Sequence, residues 1–212
     1  MSENTDFFVP AGYGEAEFTE KRSRFTGRVW PVKTEEEALL HLKEMREKYW
    51  DATHNVYAYI IKNTGAMRYS DDGEPQGTSG MPVLGVFRSA GVTDFCCVVT
   101  RYFGGILLGT GGLVRAYTQA ASMALESAGI AKNSLWRRLR LCCPYPAYER
   151  VRTETESAGI IENTDFAADV TINALIPDEC ADTFSARITD ATSGAVRPEE
   201  LGTEFKAVRI QK

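Results

Sequence analysis

Residues 100–117 read TRYFGGILLGTGGLVRAY. Five glycines, Gly104, Gly105, Gly109, Gly111 and Gly112, fall within nine positions between Arg101 and Arg115. The run before them, DFCCVVTR over 94–101, is apolar without alternation, the pattern of a central strand covered on both faces. After them Leu113, Ala116, Tyr117, Ala120, Ala124 and Ala128 recur on one helical face. Arg115, Gln119, Ser122 and Glu126 recur on another, and Gly129 is a natural stop. The stretch therefore joins a buried strand to an amphipathic helix.

Working outward towards the N-terminus, residues 14–32 give two short strand-like pieces, and the first dozen residues are expected to be loosely held. Thr34 and Glu37 form a capping box that opens a helix to about Tyr49. Asn55–Lys62 reads as a strand, 63–65 as a turn and Met67–Ser70 as its hairpin partner. Thr78 or Ser79 is placed to cap a short helix over Pro82–Ser89. Beyond Gly129 a second unit begins near Lys132. It reads strand (135–144), helix (146–158, stopped by Gly159), strands (160–163 and 168–176), helix (from Pro177 to about Thr192) and strand (204–210). That order is the βαββαβ, ferredoxin-like pattern. The expected division is 1–131 and 132–212, in an α+β protein.

Composition narrows the function classes. Of 212 residues, 43% are hydrophobic and 25% charged, as in an ordinary globular chain. Net charge is -5, with 13 basic against 16 acidic residues in 1–131 and 11 against 13 in the remainder. Neither half is a polycation, so a nucleic-acid site would have to be a local patch. No run of about eighteen apolar residues is present to span a membrane. The N-terminal MSENTDFFVP does not resemble a secretory signal. Cys96, Cys97, Cys142, Cys143 and Cys180 lack C-x-x-C spacing and read as buried small apolar residues of a reduced, cytoplasmic protein. Neither a metal nor a cofactor is called for, and nothing in the sequence sets an oligomeric state.

Three constellations carry candidate chemistry. The glycine stretch fails both formal phosphate motifs: Thr110 and Gly111 stand where a Walker Lys-Ser/Thr belongs, and Val114 replaces the last glycine of a dinucleotide fingerprint. Two readings stay open, an anion or nucleic-acid contact at a helix N-terminus flanked by Arg101 and Arg115, and a tight turn that needs glycine for its backbone. Arg115, on the polar helical face, is expected to point out of the core. In SDDGEPQGTSG (70–80), Asp71, Asp72 and Glu74 are candidate acid–base groups, with His54 on a neighbouring strand as their partner. The alternative is a solvated acidic turn and a structural histidine. Basic clusters at Lys21, Arg22, Arg24 and Arg28 and at Arg137, Arg138 and Arg140 suit a nucleic-acid backbone or a solvated strand face.

ATHNVYAY (52–59), SDDGEPQGTSGMPVL (70–84) and VVTRYFGGILLGTGGLVRAY (98–117) together resemble the YigZ/IMPACT family, with Ser79 where the family usually has alanine. The resemblance covers roughly residues 16–130, and the trailing βαββαβ unit is similar to the C-terminal domain of the bacterial, two-domain members. It implies an N-terminal domain of the ribosomal-protein S5 second-domain type, a fold also found in elongation factor G. Eukaryotic relatives regulate translation through an activator of a starvation-responsive kinase. That role depends on an added N-terminal domain and is not expected to transfer whole. The leading expectation is a translation-associated binding protein that contacts RNA or a ribosome-associated protein through Arg101, Gly104–Gly112 and Arg115. The alternative is a small-molecule enzyme using His54 and the Asp71/Asp72/Glu74 loop.

Overall fold

A computed structural model describes residues 6–210. In chain order the elements are β1 (Phe7–Pro10), β2 (Gly14–Glu20), β3 (Ser23–Pro31), α1 (Glu35–Lys48), β4 (His54–Ile61), β5 (Ala66–Ser70), α2 (Gly80–Ser89), β6 (Phe95–Tyr102) and α3 (Thr110–Ala128). There follow β7 (Ile130–Cys143), α4 (Tyr145–Ala158), β8 (Ile160–Phe166), β9 (Val170–Pro177), α5 (Asp178–Ala191) and β10 (Glu199–Arg209). Two compact units result, one of Phe7–Lys132 with residues 207–210, the other built on Asn133–Lys206.

The first unit is an antiparallel sheet in the order β2-β3-β6-β4-β5. Strand β6 lies between β3 and β4, which explains its unbroken apolar run: residues 95–101 are all buried. Alternation then sorts its side chains. Phe95, Cys97 and Val99 join the core under α2 and α3, while Cys96 and Val98 join a smaller core under α1. The predicted apolar face of α3 is the buried one. It is rich in alanine because the helix lies directly on the sheet: a Cβ built on Gly27 of β3 would stand 2.3 Å from the Ala120 carbonyl oxygen.

The second unit has the sheet order β8-β9-β7-β10, with a core of Leu139, Leu141, Ile172, Ile176, Phe184 and Ile188 among others. The βαββαβ order and the α+β class are those read from the sequence.

Several local expectations change. Of the first dozen residues, 1–5 lie outside the described residues, but Phe7–Pro10 form a strand and Val9 is 6% exposed. Phe8 is held by its carbonyl, which accepts from Thr93 N–H. In α1, Ala38, Leu42 and Met45 face the core while Leu39 and Leu40 are exposed. The capping box is shifted by one residue: Thr34 Oγ1 accepts from Glu37 N–H, but Glu37 Oε2 accepts from Lys33 N–H. Pro177 is the N-cap of α5 rather than its first residue. Of the cysteines, Cys142 and Cys180 are exposed and Cys96, Cys97 and Cys143 buried, and all are free.

The close approach of α3 to β3 makes Gly27 sensitive. Gly27→Ala is expected to cost roughly 1–3 kcal/mol by overpacking, measured by urea unfolding. Gly12→Ala, whose Cβ meets nothing within 4 Å, is expected to stay within about 0.5 kcal/mol of the parent.

Candidate functional site

Arg101, the penultimate residue of β6, lies on the face covered by α2 and α3. It follows Cys97 and Val99 in the strand alternation, and this turns it inward. Its side chain is not on an open surface beside Arg115, as expected from the sequence, but 5% exposed. Its NH1 donates to Glu74 Oε1 at 2.6 Å and its NH2 to Ser23 Oγ at 3.4 Å. Its guanidinium carbon lies 5.3 Å from the Phe25 ring and 5.5 Å from the Phe103 ring. Glu74 is itself 8% exposed, and the Tyr117 hydroxyl donates to the same oxygen at 2.7 Å. Burial, and then the Glu74 charge, push the Tyr117 phenol well above its usual range, so it stays a donor. His54 Nε2 stands 3.7 Å from Glu74 Oε1. A buried ion pair loses hydration on both partners, and added hydrogen bonds of this kind are what make it tolerable.

The acidic loop divides its carboxylates among different tasks. Ser79 is the N-cap residue of α2, but its side chain makes no capping bond, and Asp71 supplies the acceptor instead. Its Oδ1 accepts from Ser79 Oγ at 2.7 Å, Gly80 N–H at 2.8 Å and Ser79 N–H at 3.1 Å, and its Oδ2 from Gly77 N–H at 2.8 Å. Asp72 turns through a positive φ of 47°. Its Oδ2 accepts from Asn55 N–H at 2.6 Å, and its carbonyl oxygen lies 2.7 Å from His54 Nδ1, which donates to it. This bond fixes the ring and leaves Nε2 towards Glu74. His54 and the three carboxylates therefore do not converge: Glu74 alone meets the imidazole, while Asp71 and Asp72 hold backbone.

The glycine loop is a packing device at one end and an open edge at the other. A Cβ on Gly104 would fall 2.0 Å from the Arg22 carbonyl carbon, so the loop lies against the β2–β3 turn. Gly104 N–H donates to Ser23 Oγ at 3.1 Å and Phe103 N–H to Thr53 Oγ1 at 3.0 Å. Gly109, at φ 72°, is the N-cap of α3 and supplies no side-chain cap. The first-turn N–H groups of such a helix have no intrahelical acceptor. Between loop and sheet is a cavity of about 370 Å³. His54, Glu74, Arg101 and Thr110 contribute its polar wall, and Phe103, Leu107, Leu108 and Leu113 much of its apolar one.

The basic clusters are mostly neutralised. Arg28 is buried, with Nε donating to Glu15, NH1 to Thr100 Oγ1 and NH2 to the Tyr49 hydroxyl. Arg24 lies over Tyr102 near Glu17. Arg137 pairs with Asp178 and Asp182, Arg138 with Glu162 and Glu204, and Arg140 with Glu199. Around the glycine loop, Lys21, Arg22 and Arg115 are exposed and make no ion pair among the described residues. Lys21 and Arg22 sit at the tip of the β2–β3 hairpin with φ of 45° and 65°. Sequence reasoning missed Tyr117 and Ser23 as members of the polar cluster. Tyr117, the one hydroxyl on an alanine-rich buried face, was the available signal, since a buried tyrosine hydroxyl needs a partner.

Fold and site define a two-unit α+β protein with a buried carboxylate–arginine centre beneath a glycine-rich loop. The Impact N-terminal domain family matches residues 21–125, and a domain of unknown function, DUF1949, matches 141–195. The chain is 35% identical to IMPACT family member YvyE of Bacillus subtilis, over 95% of each chain. It is 32% identical to IMPACT family member YigZ of Escherichia coli, covering 84% of this chain and 89% of that one. A crystal structure of a hypothetical protein superposes with a TM-score of 0.58 at 30% identity, over 93% of this chain and 98% of the other. Mouse Protein IMPACT is 37% identical over 50% of this chain and 34% of its own length. The chain belongs to the IMPACT family.

The cap on α2 gives a pH prediction. Burial is the largest single influence on Asp71 and acts to raise its pKa, but hydrogen bonds from the Ser79 hydroxyl and from the Gly77, Gly80 and Ser79 N–H groups together hold it below the usual value. A depressed carboxyl contributes stability above its unfolded pKa and loses it as pH falls through the folded one. Asp71→Asn is expected to cost roughly 0.5–2 kcal/mol at neutral pH. Below about pH 4 its melting temperature should fall less steeply than the parent's. Parallel melting curves across that range would remove the carboxylate from the account.

Proposed function

We propose that this chain is a translation-associated regulatory binding protein whose partner, RNA or a ribosome-linked protein carrying it, docks on the Gly104–Gly112 loop. The observation that carries the reading is the set of three exposed cations, Lys21, Arg22 and Arg115, that border one loop and lack acidic partners among the described residues. Elsewhere Arg28, Arg101, Arg137, Arg138, Arg140, Arg152 and Arg187 are paired, and other exposed arginines without an ion pair among the described residues, such as Arg88, Arg150 and Arg197, are scattered along the chain. Unpaired guanidinium groups beside free helix N–H donors suit phosphate oxygens. Phe103 and Leu107, 44% and 82% exposed, add apolar surface against which a base can pack. The net charge of -5 makes the contact local, not a general affinity for polyanions. Family membership supports a regulatory or binding role, and the translation-factor-like fold points the same way by analogy.

An enzyme acting on a phosphorylated or peptide-like small molecule has one observation in its favour: His54 and Glu74 share a cavity wall. It loses Asp71, whose oxygens take the Ser79 hydroxyl and backbone N–H groups, and Asp72, whose Oδ2 takes the Asn55 N–H and whose Oδ1 lies 4.0 Å from Arg46.

Filter binding of single-stranded RNA across a salt series tests the binding reading. The variant Lys21→Asn, Arg22→Gly, Arg115→Ala removes the charges while giving the hairpin tip the residues that such a turn favours. Three lost phosphate contacts would lower the log–log salt slope by roughly 2. An unchanged affinity and slope in the folded variant would remove the docking role of this loop.

A further inference from the structure

We propose that the cavity behind the glycine loop is a binding site for a small organic anion, a carboxylate or phosphate monoester carried on an apolar body. Its size, about 370 Å³, lies within the roughly 300–1,000 Å³ range of small-molecule sites. Its two walls differ in kind. Most of the wall is apolar, from Pro75, Phe103, Leu107, Leu108 and Leu113; a smaller polar part comes from His54, Glu74, Arg101 and the start of α3 at Gly109 and Thr110.

Two independent features give the polar part its preference for an anion. The first is the N-terminus of the nineteen-residue helix α3, which no side chain caps. It carries about half a positive charge and free N–H donors. The second is Arg101. It is 5% exposed and contributes to the cavity wall, yet its buried Nε has no hydrogen-bond partner. A buried donor without an acceptor costs about 1–3 kcal/mol and calls for an explanation. A bound oxyanion is the acceptor it lacks. Glu74 does not reverse the sign, because its charge is matched by Arg101 at 2.6 Å and its Oε1 also takes the Tyr117 hydroxyl. The helix end then remains as the uncompensated field.

The ligand differs from the RNA proposed for the outer surface, although both would share Phe103, Leu107 and the start of α3. It occupies the space behind Leu107 and Leu108, whereas the cations Lys21, Arg22 and Arg115 are not part of the cavity wall. Its test therefore contains no RNA. The full chain is titrated by calorimetry and thermal shift with phenyl phosphate, with benzoate and with inorganic phosphate. Saturable one-to-one binding of phenyl phosphate or benzoate is expected, at least about tenfold tighter than inorganic phosphate because the ring is buried in the apolar part. Whichever of the two aromatic anions binds more tightly identifies the head group. Thr110→Glu places a carboxylate in the first turn of α3, where it suits the helix dipole and leaves the fold intact. Thr110 is exposed, so the change disturbs no core contact. This variant is expected to melt no lower than the parent and to lose the binding. Absence of saturable binding by all three probes, or equal binding in parent and Thr110→Glu, would overturn the site.

Discussion

One buried carboxylate organises the end of the sheet. Glu74 enters from the loop between β5 and α2 and is reached by Arg101 of β6, Tyr117 of α3 and, at longer range, His54 of β4. Through Arg101 it extends to Ser23, whose hydroxyl also takes the Gly104 amide that begins the glycine loop. Strands β3, β4 and β6, helix α3 and both functional loops thus meet in a single polar cluster. Neither partner can be removed alone at low cost, because a lone arginine or glutamate left in such a site would keep its desolvation cost and lose its partner. The cluster fixes where the glycine loop leaves the sheet, and through the loop where α3 begins.

The pairing also separates two roles that a linear reading joins. Arg101 and Arg115 flank the same glycines, yet the first is buried against Glu74 and the second faces solvent. Between them the loop exposes Ile106 and Leu107 and bends at Gly105 and Gly109, where φ is 84° and 72°. An apolar rim with cations beside it suits a docking edge, and the space behind it suits a small molecule. Sites of this kind concentrate on loops that a rigid scaffold holds in place. Here the scaffold is the sheet together with the tightly seated α3.

Much of the fold was legible in the sequence because it rests on periodicity. The α3 face, the unbroken β6 run and the βαββαβ order all follow from the spacing of apolar residues, although β7 and β10 each begin five residues before the expected 135 and 204. The site was less legible because side-chain direction at a strand end depends on register. Arg101 lies opposite Phe25 of β3 and His54 of β4, and this pairing sets which face it takes. Asp71 was read as a candidate acid because a carboxylate that caps a helix from eight or nine residues away leaves no local signature. The short strand at Phe7–Pro10 went unread for a similar reason. Its partner is distant in sequence, as the Thr93 N–H donated to the Phe8 carbonyl illustrates.

The central claim, that Glu74 and Arg101 act as one unit, is tested most directly by a double-mutant cycle. Glu74→Gln, Arg101→Met and the double variant are unfolded in urea and their stabilities compared with the parent. The account predicts that each single change costs roughly 3–5 kcal/mol, because it strands a buried charge, and that the double variant costs clearly less than their sum. Losses that simply add would mean that the two side chains stabilise the fold independently, and would contradict the account.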